Sequence, residues 1–553
     1  MRHPRIMPTL MSIVILAVLA IAAPIHAAGD TIFAGAQVHT VNIEFSQPAF
    51  WDSLTAYYDA GLEQYMAATV TFDGTVLDSV GVRLKGNSSY SHPNDKKPFR
   101  LAFDEYIGSQ RLDGLKNVQL SNCWEDPTFL REKLHWDALR EAGVPAPRAN
   151  FADVYLNGEL WGLYSLVEHV DKTFLSARFG NKEGNLYKAV DGIGTAPRSD
   201  FRWLGADTSL YTDHYELKTE ESLTRWTDLV TVIDSLNHGG DLATALPAVV
   251  DMPSLYAGLA IDHLLSNMDS YAVTARNFYL YFDQVTGKMR WIPWDASLTM
   301  GSYWYDVKNY ETLPLTYVSS AVNRPLAADV FAVPELRNAY LRTACFLARD
   351  VLTVERLDAE IDALAALVRP HVAADPRKMY TLEQFDANLV SDIDVDGHRK
   401  PGLKSYIALR AANVAAQLAA AGIDCEHVAL PGDVVINEFA ADNTQVLDPA
   451  GEAADWVELF NATAQDVDLG GWRLSDSAAA PAKWRFPAGT VIPARGYLMV
   501  WADNDTLQEG LHASWKLSAG GEQVVLSDAS GALMDSLTFG PQVVDLTSAR
   551  IPN

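Results

Sequence analysis

Hydrophobic and polar positions along the first three quarters of the chain predict strands interspersed with helices. Strands are expected where apolar and polar residues alternate, at 38–45, 68–72, 153–156, 160–168, 277–282 and 289–294. A helix is predicted between 122 and 148, with Asp126 as its N-cap and Pro127 as its first residue. Asn157-Gly158 separates two of the strands, and this dipeptide predicts a tight hairpin.

The last quarter has a different pattern, because short β-type runs separated by turn residues replace the helices. The change falls at Pro431-Gly432, and the runs that follow are 434–439, 456–461, 471–474, 497–501, 523–526 and 534–539. This spacing predicts an all-β sandwich of about 120 residues. The expected division is therefore one domain at 29–428 and a second domain at 433–553.

Residues 1–28 have the composition of a secretory signal peptide. Arg2 and Arg5 precede an apolar run, Leu10–Ala23, and small residues follow at Ala27 and Ala28. The run is too short for a comfortable transmembrane helix, and no second apolar stretch of spanning length follows. We therefore expect a secreted, extracytoplasmic protein with no membrane span after signal cleavage. The alternative is an uncleaved N-terminal anchor.

Composition and charge narrow the choice of partners. The 553 residues include 43 Lys and Arg against 70 Asp and Glu, and the net charge of −27 disfavours nucleic acid and anionic membranes as main partners. Three cysteines are too few for a scaffold built on disulfides. Cys345 and Cys425 are the expected pair, because Cys123 lies in a segment assigned to the active cleft. Two buried free thiols are the alternative.

Three polar side chains lie at the ends of predicted elements between 261 and 301. Asp269 follows the break after a helix, Asn277 begins one strand run, and Asp295 follows the next. Oxygen ligands of this type suit Mg²⁺, and Mg²⁺ suits the phosphates of a nucleotide. A base Asp with an Asn and a second Asp as metal ligands predicts phosphoryl transfer. The alternative is a hairpin with polar ends.

A basic strand and turn lie earlier in the chain. Arg83 and Lys85 are two residues apart on a predicted strand, so they point to the same face. The turn at 86–89 offers backbone N–H groups and hydroxyls, and a paired cation beside such a turn is suited to hold phosphate. The basic residues that extend this patch are Lys96, Lys97 and Arg100. An exposed strand with solvated charges is the alternative.

A short acidic run has the beginning of a calcium-loop pattern. Asp392, Asp394 and Asp396 take the first, third and fifth positions of such a loop, and Gly397 takes the sixth. The twelfth position, where a bidentate Glu is needed, is Leu403. A Ca²⁺ site is therefore the weaker expectation, and a solvated acidic turn is favoured.

Eight motifs occur in the order found in the CotH kinase family, the secreted kinases that resemble spore coat protein H. They are GVRLKGNSS, DPTFLREKL, GVPAPR, YLNGELWGLY, EHVD, GNLYK, NMD with RNFYLY, and IPWD, within a similar region from about 38 to about 421. The resemblance implies an atypical protein-kinase-like fold that binds ATP and Mg²⁺, with Mn²⁺ as a substitute. It also implies phosphorylation of Ser or Thr in secreted or envelope proteins.

The resemblance also assigns roles by position. Asp269 resembles the catalytic Asp of the family, and Asn277 and Asp295 resemble its metal ligands. The residues expected at the nucleotide are Arg83, Lys85, Glu168, Lys188 and Trp294. Tyr164 is a further candidate for adenine, because aromatic faces suit a purine, although core packing is its expected role. Ser297 is a departure, since many relatives have a second Asp or Asn there, and it weakens one oxygen ligand.

The last quarter resembles the lamin-tail domain, an immunoglobulin-like module, through INEF, DWVELFN, LGGWRLSD and GGEQVVLSD. The expected fold class is therefore α+β, a kinase-like domain followed by an all-β immunoglobulin-like sandwich. The expected function is a secreted Ser/Thr protein kinase. The alternative is a pseudokinase-like scaffold in cell-envelope or coat assembly. A polysaccharide-binding protein is a third and weaker hypothesis, based only on aromatic-rich loops.

Overall fold

The computed structural model of the chain describes residues 27–550 apart from several internal positions. Those positions are 143, 191, 193–195, 197, 220–224, 304–308, 424, 426–431, 464–465, 479, 488, 529–530 and 532. The predicted signal peptide therefore lies outside the described residues, except for Ala27 and Ala28. Among the helices of the described residues, none has both the length and the apolar character needed to cross a membrane.

The N-terminal strands close into a barrel of seven strands. In chain order they are β1 (Val38–Glu44), β2 (Met66–Phe72), β3 (Thr75–Leu84), β4 (Phe99–Ala102), β5 (Asn117–Ser121), β6 (Ala149–Leu156) and β7 (Glu159–Glu168). Strand β6 pairs in parallel with β1 and so closes the order β1-β2-β3-β4-β5-β7-β6. Alternate residues of β2 are buried, because successive side chains of a strand point to opposite faces and one face fills the barrel core.

A four-stranded sheet follows, in the order β11-β10-β8-β9, with most of the helices packed around it. Its strands are β8 (Asn185–Ala189), β9 (Tyr215–Leu217), β10 (Phe278–Asp283) and β11 (Lys288–Pro293). The α-helices are α1 (Phe50–Asp59), α2 (Ser88–Ser91), α3 (Arg131–Glu141), α4 (Lys172–Phe179), α5 (Thr227–His238), α6 (Leu242–Val249), α7 (Met252–Leu264), α8 (Tyr271–Thr274), α9 (Pro325–Ala332), α10 (Pro334–Phe346), α11 (Val354–Ala374), α12 (Leu382–Asn388) and α13 (Leu403–Ala420). Short 3-10 helices lie at Thr208–Tyr211 and Tyr310–Thr312, a π-helix at Leu347–Val351, and a separate hairpin is formed by β12 (Ile393–Val395) and β13 (His398–Lys400).

The hairpin predicted at Asn157-Gly158 is present, and the strand runs predicted at 277–282 and 289–294 form a second one. Asn157 and Gly158 have φ of 49° and 83°, the left-handed values that a tight two-residue turn requires between β6 and β7. Gly287 has φ of 68° in the turn between β10 and β11. Strand β10 begins at Phe278 rather than at Asn277, so Asn277 lies just outside the ladder.

The helix predicted to begin at Pro127 begins instead at Arg131. The physical reason is the side chain of Asp126, which accepts hydrogen bonds from the backbone N–H groups of Thr128 and Arg131, both at 2.9 Å. The same carboxylate lies 2.6 Å from the guanidinium of Arg131. Asp126 therefore holds a turn that precedes the helix rather than capping a helix that starts at once.

The C-terminal domain is the predicted all-β domain, with a core of its own. Its strands are β14 (Val434–Ala440), β15 (Trp456–Asn461), β16 (Val467–Asp468), β17 (Arg473–Ser475), β18 (Trp484–Arg485), β19 (Val491–Ile492), β20 (Tyr497–Ala502), β21 (His512–Ala513), β22 (Glu522–Ser527), β23 (Leu533–Phe539) and β24 (Ser548–Ala549). They form a five-stranded sheet, β21-β20-β15-β14-β24, a four-stranded sheet, β18-β17-β22-β23, and a two-stranded pair, β16-β19. Apolar side chains from these sheets meet between them, as in a sandwich.

The cysteines take the arrangement that was expected from sequence. Cys345 and Cys425 form a disulfide that links α10 to the segment after α13. Cys123 is a free thiol and is buried. Burial raises the pKa of Cys123 to about 12, so the thiol stays protonated and unreactive near neutral pH.

This arrangement predicts thiol counts for the purified chain. The native protein should react with no maleimide, because the one free thiol is buried and protonated. Unfolding without reductant should expose one reactive thiol, and unfolding with reductant should expose all three. Intact-mass measurement after labelling gives the counts, with Cys123→Ser as the control that should lose the single label. Three labels without reductant would contradict the disulfide.

Candidate active site

A cleft of about 470 Å³ lies where the barrel faces the four-stranded sheet, and its size is in the range of small-molecule sites. Strands β3 and β4 contribute Arg83, Lys85 and Arg100 on one side, and the β10–β11 hairpin contributes residues at its ends on the other. The charged residues of the lining are Asp59, Glu63, Arg83, Lys85, Arg100, Lys188, Glu216, Lys218, Asp269, Arg276 and Asp295. Cations therefore gather here in a chain whose net charge is −27.

The β10–β11 hairpin brings Asn277 and Asp295 together. The ladder ends at the pair Phe278 and Pro293, and the backbone N–H of Trp294 donates to the carbonyl of Asn277 at 3.0 Å. Asn277 and Asp295 both leave the ladder with left-handed φ, 64° and 50°. The two residues thus emerge side by side at one end of the hairpin, where both line the cleft.

Asp269 is joined to this pair through the amide of Asn277. The amide nitrogen of Asn277 donates to the carboxylate of Asp269 at 3.0 Å and to the Asp269 backbone carbonyl at 2.7 Å. An amide that donates through its nitrogen keeps its oxygen as an acceptor or ligand. The structure therefore brings together Asp269, Asn277 and Asp295, the three residues singled out from sequence.

The loop that carries Asp269 is held from helix α7. The side-chain amide of Asn267 donates to the carboxylate of Asp262 at 2.8 Å, and its oxygen accepts from the backbone N–H of Asp269 at 3.2 Å. Asp262 and Asn267 are buried. Burial raises the pKa of Asp262 to about 7, and the hydrogen bond from Asn267 opposes that rise.

Asp269 also contacts a cation of the cleft. Its carboxylate accepts from Nε of Arg276 at 2.6 Å. Burial raises the pKa of Asp269 to about 6, Arg276 lowers it, and the nearby charge of Asp295 raises it further. Asp269 is therefore a carboxylate that is ionised at neutral pH yet closer to neutrality than an exposed Asp, as a proton acceptor needs.

Lys85 lies among opposite charges in the cleft. Burial lowers its pKa, and the carboxylates of Asp295 and Glu132 oppose that shift. Its ammonium lies 6.0 Å from the ring centre of Trp294. Glu132, in the first turn of α3, is buried, and its pKa is raised to about 8 by burial and by the charge of Asp295, with Lys85 opposing.

Glu132 is absent from the site residues predicted from sequence, although it lies inside the quoted motif DPTFLREKL. The helical pattern directs attention to the apolar face of α3, and nothing local marks a buried acid in its first turn. Glu132 could have been found from the chemistry expected of the site, because a phosphate-binding Lys is commonly held by a Glu from a neighbouring helix.

Glu168 does not reach the cleft. It is the last residue of β7, it is buried, and its carboxylate contacts the guanidinium groups of Arg148 at 2.6 Å and Arg178 at 2.8 Å. Successive residues at a strand end point in opposite directions, so the next residue, His169, lines the cleft instead. His169 contacts Gln119 at 2.8 Å, and burial among cations holds its pKa well below the usual value.

Other sequence-predicted residues divide between the cleft and the core. Lys188 and Trp294 line the cleft. Tyr164 is fully buried in the barrel core, where its hydroxyl donates to the backbone carbonyl of Lys97 at 3.0 Å. The ammonium of Lys97 is used by backbone carbonyls, and Lys96 is fully buried against Asp375 at 2.6 Å. Of the predicted basic extension, Arg100 alone is in the described lining, where Lys218 adds a cation.

The acidic run considered for calcium forms a β-hairpin. Asp394 lies opposite Arg399 in the β12–β13 pair, and Asp392 contacts the guanidinium of Arg399 at 2.5 Å. Asp394 also accepts the backbone N–H of Gly397, which closes the turn after Asp396. Within the described residues these three Asp do not form a group close enough to share an ion.

The residues in the cleft fit a magnesium nucleotide. Asn277 and Asp295 offer amide and carboxylate oxygens in the lining of the same cleft, which is the donor type that Mg²⁺ prefers. Arg83, Lys85 and Lys188 lie in the same lining and suit the negative charge of phosphates. The hydroxyl of Ser297 donates to the carboxylate of Asp295 at 2.6 Å, so this departure from the family pattern orients a ligand rather than supplying a second carboxylate.

Comparison with known proteins gives a family match for each part of the chain. The family model described as CotH kinase protein matches residues 82–413, and the model described as Lamin Tail Domain matches 427–541. Inner spore coat protein H of Bacillus subtilis (strain 168) is 28% identical over 323 residues, which cover 58% of this chain and 86% of that protein.

Two fungal proteins are also similar over shorter stretches. Invasin CotH7 of Rhizopus delemar is 24% identical over 230 residues, covering 40% of this chain and 37% of that protein. Invasin CotH2 of the same organism is 22% identical over 256 residues, covering 45% of this chain and 42% of that protein. The first family match contains Lys85, Glu132, Asp269, Asn277 and Asp295.

The position of Glu132 predicts a positioning role toward Lys85. Glu132→Gln keeps the volume but removes the ionisable carboxyl, so kcat/KM for ATP should fall at least ~10-fold, the effect of about 1.4 kcal/mol. The matched control is Glu141→Gln, the same change at the exposed end of α3, which should leave kcat/KM unchanged. Restored activity in Glu132→Asp would support the charge. Equal effects of the two Gln variants would contradict the role.

The buried acid of α7 predicts a pH-dependent stability. Because the pKa of Asp262 is about 7 in the folded chain and about 4 when unfolded, the folded state holds a proton between these values. Stability from this group is therefore full below about pH 4 and is lost as the pH rises to about 7.

Asp262→Asn keeps the oxygen that Asn267 contacts and removes the titration. The Tm of this variant relative to the parent should rise from pH 5 to pH 8 in thermal unfolding followed by circular dichroism. Asp386→Asn is the control, because the pKa of Asp386 is lowered by Arg369, so its relative Tm should stay constant over that range. A constant difference for Asp262→Asn would contradict the assignment.

Proposed function

This chain belongs to the CotH kinase protein family, and from that premise we propose that it is an extracytoplasmic protein kinase. It transfers a phosphoryl group from ATP, with Mg²⁺, to Ser or Thr of secreted or envelope proteins. The observation that carries the proposal is the meeting of Lys85, Asp269, Asn277 and Asp295 in one cleft. The N-terminal domain is accordingly an atypical kinase-like domain, and the lamin-tail domain follows it in the chain.

The cations of the cleft bind the nucleotide in this proposal. Arg83 lies in β3 and Lys85 is the first residue after it, and Lys188 is in β8. Phosphates therefore have cations on both walls of the cleft. Trp294 offers a half-buried aromatic face beside Lys85, which suits adenine. Asn277 and Asp295 would hold Mg²⁺, which when bound neutralises phosphate charge.

Asp269 takes the proton. Its carboxylate orients the hydroxyl of the acceptor Ser or Thr and accepts the hydroxyl proton as the oxygen bonds to the γ-phosphorus and ADP leaves. Ionisation of this carboxylate at neutral pH is consistent with its pKa of about 6. Arg276, which contacts the carboxylate in the free chain, lies where it can also meet the transferred phosphate.

The predicted export of the chain and the names of its relatives indicate the class of protein substrate. The signal peptide predicted at 1–28 would direct the chain to an extracytoplasmic compartment, so we propose secreted or envelope proteins as substrates. One relative is named Inner spore coat protein H, which places that protein in a spore coat, and two others are named invasins. A location in a coat or envelope is therefore the proposal for this chain.

A scaffold without phosphoryl transfer is the second candidate, and one contact favours it. The guanidinium of Arg276 engages the carboxylate of Asp269 at 2.6 Å, which competes with a substrate hydroxyl for the same oxygen. The names of the relatives describe coat and invasion proteins rather than enzymes. In this reading the cleft binds nucleotide or nothing, and the chain acts in envelope or coat assembly.

Two substitutions separate these candidates. Asp269→Asn should reduce autophosphorylation about 10²-fold or more, the usual scale for a general base, while ATP affinity changes only a few-fold. Asp295→Ala should abolish Mg²⁺-dependent ATP binding while the fold stays intact. Labelled ATP, with Mg²⁺ or Mn²⁺, and calorimetry on the same preparation give both readouts.

The matched control is Asp283→Asn, at the opposite end of the β10–β11 hairpin, where the carboxylate contacts Arg290 outside the described lining of the cleft. It should leave both readouts unchanged. Parent-like transfer by Asp269→Asn would mean that Asp269 is structural. ATP binding without any transfer in the parent would favour the scaffold, and unchanged Mg²⁺-dependent affinity in Asp295→Ala would refute the metal assignment.

A further inference from the structure

Three side chains meet at one end of the C-terminal domain, far in sequence from the cleft. Asp448 lies in the loop between β14 and β15, Asp503 follows β20, and His512 begins β21. One potential ligand atom from each lies within 4.8 Å of the others. Among the described residues this is the one group of three or more His, Cys, Asp or Glu side chains that meets this spacing.

The backbone around the group is closely held. A turn at 448–452 is closed by the bond from the N–H of Asp448 to the carbonyl of Glu452 at 2.9 Å. Strand β21 pairs with β20 through Trp501 and His512. The imidazole of His512 is buried and contacts the carboxylate of Asp503 at 2.7 Å. The three side chains are thus fixed by three separate segments.

The carboxylate of Asp448 lacks a full set of partners. Asp448 is only 5% exposed, and one of its oxygens accepts the backbone N–H of Glu452 at 2.8 Å. Its other oxygen, Oδ2, is buried without a hydrogen-bond partner among the described residues. A buried carboxylate oxygen with no partner is costly unless a cation neutralises it.

A second oxygen nearby has the same character. The amide nitrogen of Gln508 donates to the carboxylate of Glu452, in the same turn, at 3.2 Å. Its amide oxygen, Oε1, is buried without a hydrogen-bond partner among the described residues. Two unsatisfied buried oxygens thus belong to Asp448 and to a side chain attached to the same turn.

The cluster of Asp448, Asp503 and His512 differs from the simple His–Asp pairs found elsewhere in the described chain. His371 contacts Asp153 at 2.6 Å, and His39 contacts Asp73 at 2.6 Å, without a second acid close enough to form a comparable group in the described chain. His512 has the same contact with Asp503, but there the carboxylate of Asp448, whose Oδ2 has no partner among the described residues, is added. The added acid distinguishes this cluster from a structural pair.

We propose that Asp448, Asp503 and His512 form a divalent transition-metal site of the zinc class in the lamin-tail domain. One imidazole nitrogen with two carboxylates suits Zn²⁺ or Mn²⁺, whereas Mg²⁺ and Ca²⁺ prefer oxygen ligands alone. The ion ties the 448–452 turn to β20 and β21 and so stabilises this end of the sandwich. The site is independent of nucleotide chemistry in the first domain.

The test uses the full chain without an affinity tag, in an Asp295→Ala background that removes the one carboxylate among the two candidate metal ligands of the cleft. The protein is stripped with EDTA and titrated with Zn²⁺ by calorimetry, and Tm is recorded with and without Zn²⁺. One Zn²⁺ per chain and a Tm that rises with Zn²⁺ concentration are expected. His512→Ala should weaken binding by on the order of 10²-fold or more. His371→Ala is the matched control and should bind Zn²⁺ as its parent does.

Asp448→Asn supplies a readout that does not depend on His512→Ala folding. Without metal it should raise Tm or leave it unchanged, because it removes a buried and unpartnered charge. With Zn²⁺ it should lower Tm relative to the parent, because a ligand is lost. A role in packing alone would give the same sign in both conditions. The proposal is overturned by that result, by absence of Zn²⁺ and Mn²⁺ binding, or by binding that survives Asp448→Asn and His512→Ala.

Discussion

The pairing of β10 with β11 is the interaction on which the candidate site depends. Because the ladder closes at Phe278 and Pro293, the residues just beyond it, Asn277 and Asp295, emerge at the same point. The amide of Asn277 then holds Asp269, which belongs to a different segment. A shift of the pairing by one residue would turn every side chain of one strand to the other face. The geometry of all three polar groups is therefore set by backbone register.

Burial governs the electrostatics of this region more than any single ion pair does. It is the largest cause of the raised pKa values of Asp262, Asp269 and Glu132 and of the lowered pKa of Lys85. Acids are shifted toward neutrality and the Lys toward losing its proton, because burial disfavours the charged form of each group. A bound polyanion would reverse the shift on Lys85. A phosphate ligand, as proposed for this cleft, would therefore favour the charged form of Lys85.

Local signals in the sequence predicted local structure, but they did not predict contacts between residues that are distant in the chain. The hairpin at Asn157-Gly158 follows from the turn residues alone, because only left-handed φ closes it. Glu168 was assigned to the nucleotide although a strand end alternates, and the side chain that faces the cleft is His169. Lys96 was placed in a basic patch, yet it is buried against Asp375, about 280 positions away. Nothing near Lys96 in the chain marks that partner.

The candidate metal sites of the two domains differ in their ligands and in the charges around them. At the hairpin end, Asn277 and Asp295 offer oxygen ligands beside several cations, so an ion bound there must bring anionic oxygens of its own, as phosphates do. At the end of the sandwich, Asp448 and His512 lie without such cations in the cluster, and the cluster itself carries the negative charge. In the two proposals, an ion at the sandwich end would be held by the protein alone, and an ion at the hairpin end would be bound as part of a nucleotide.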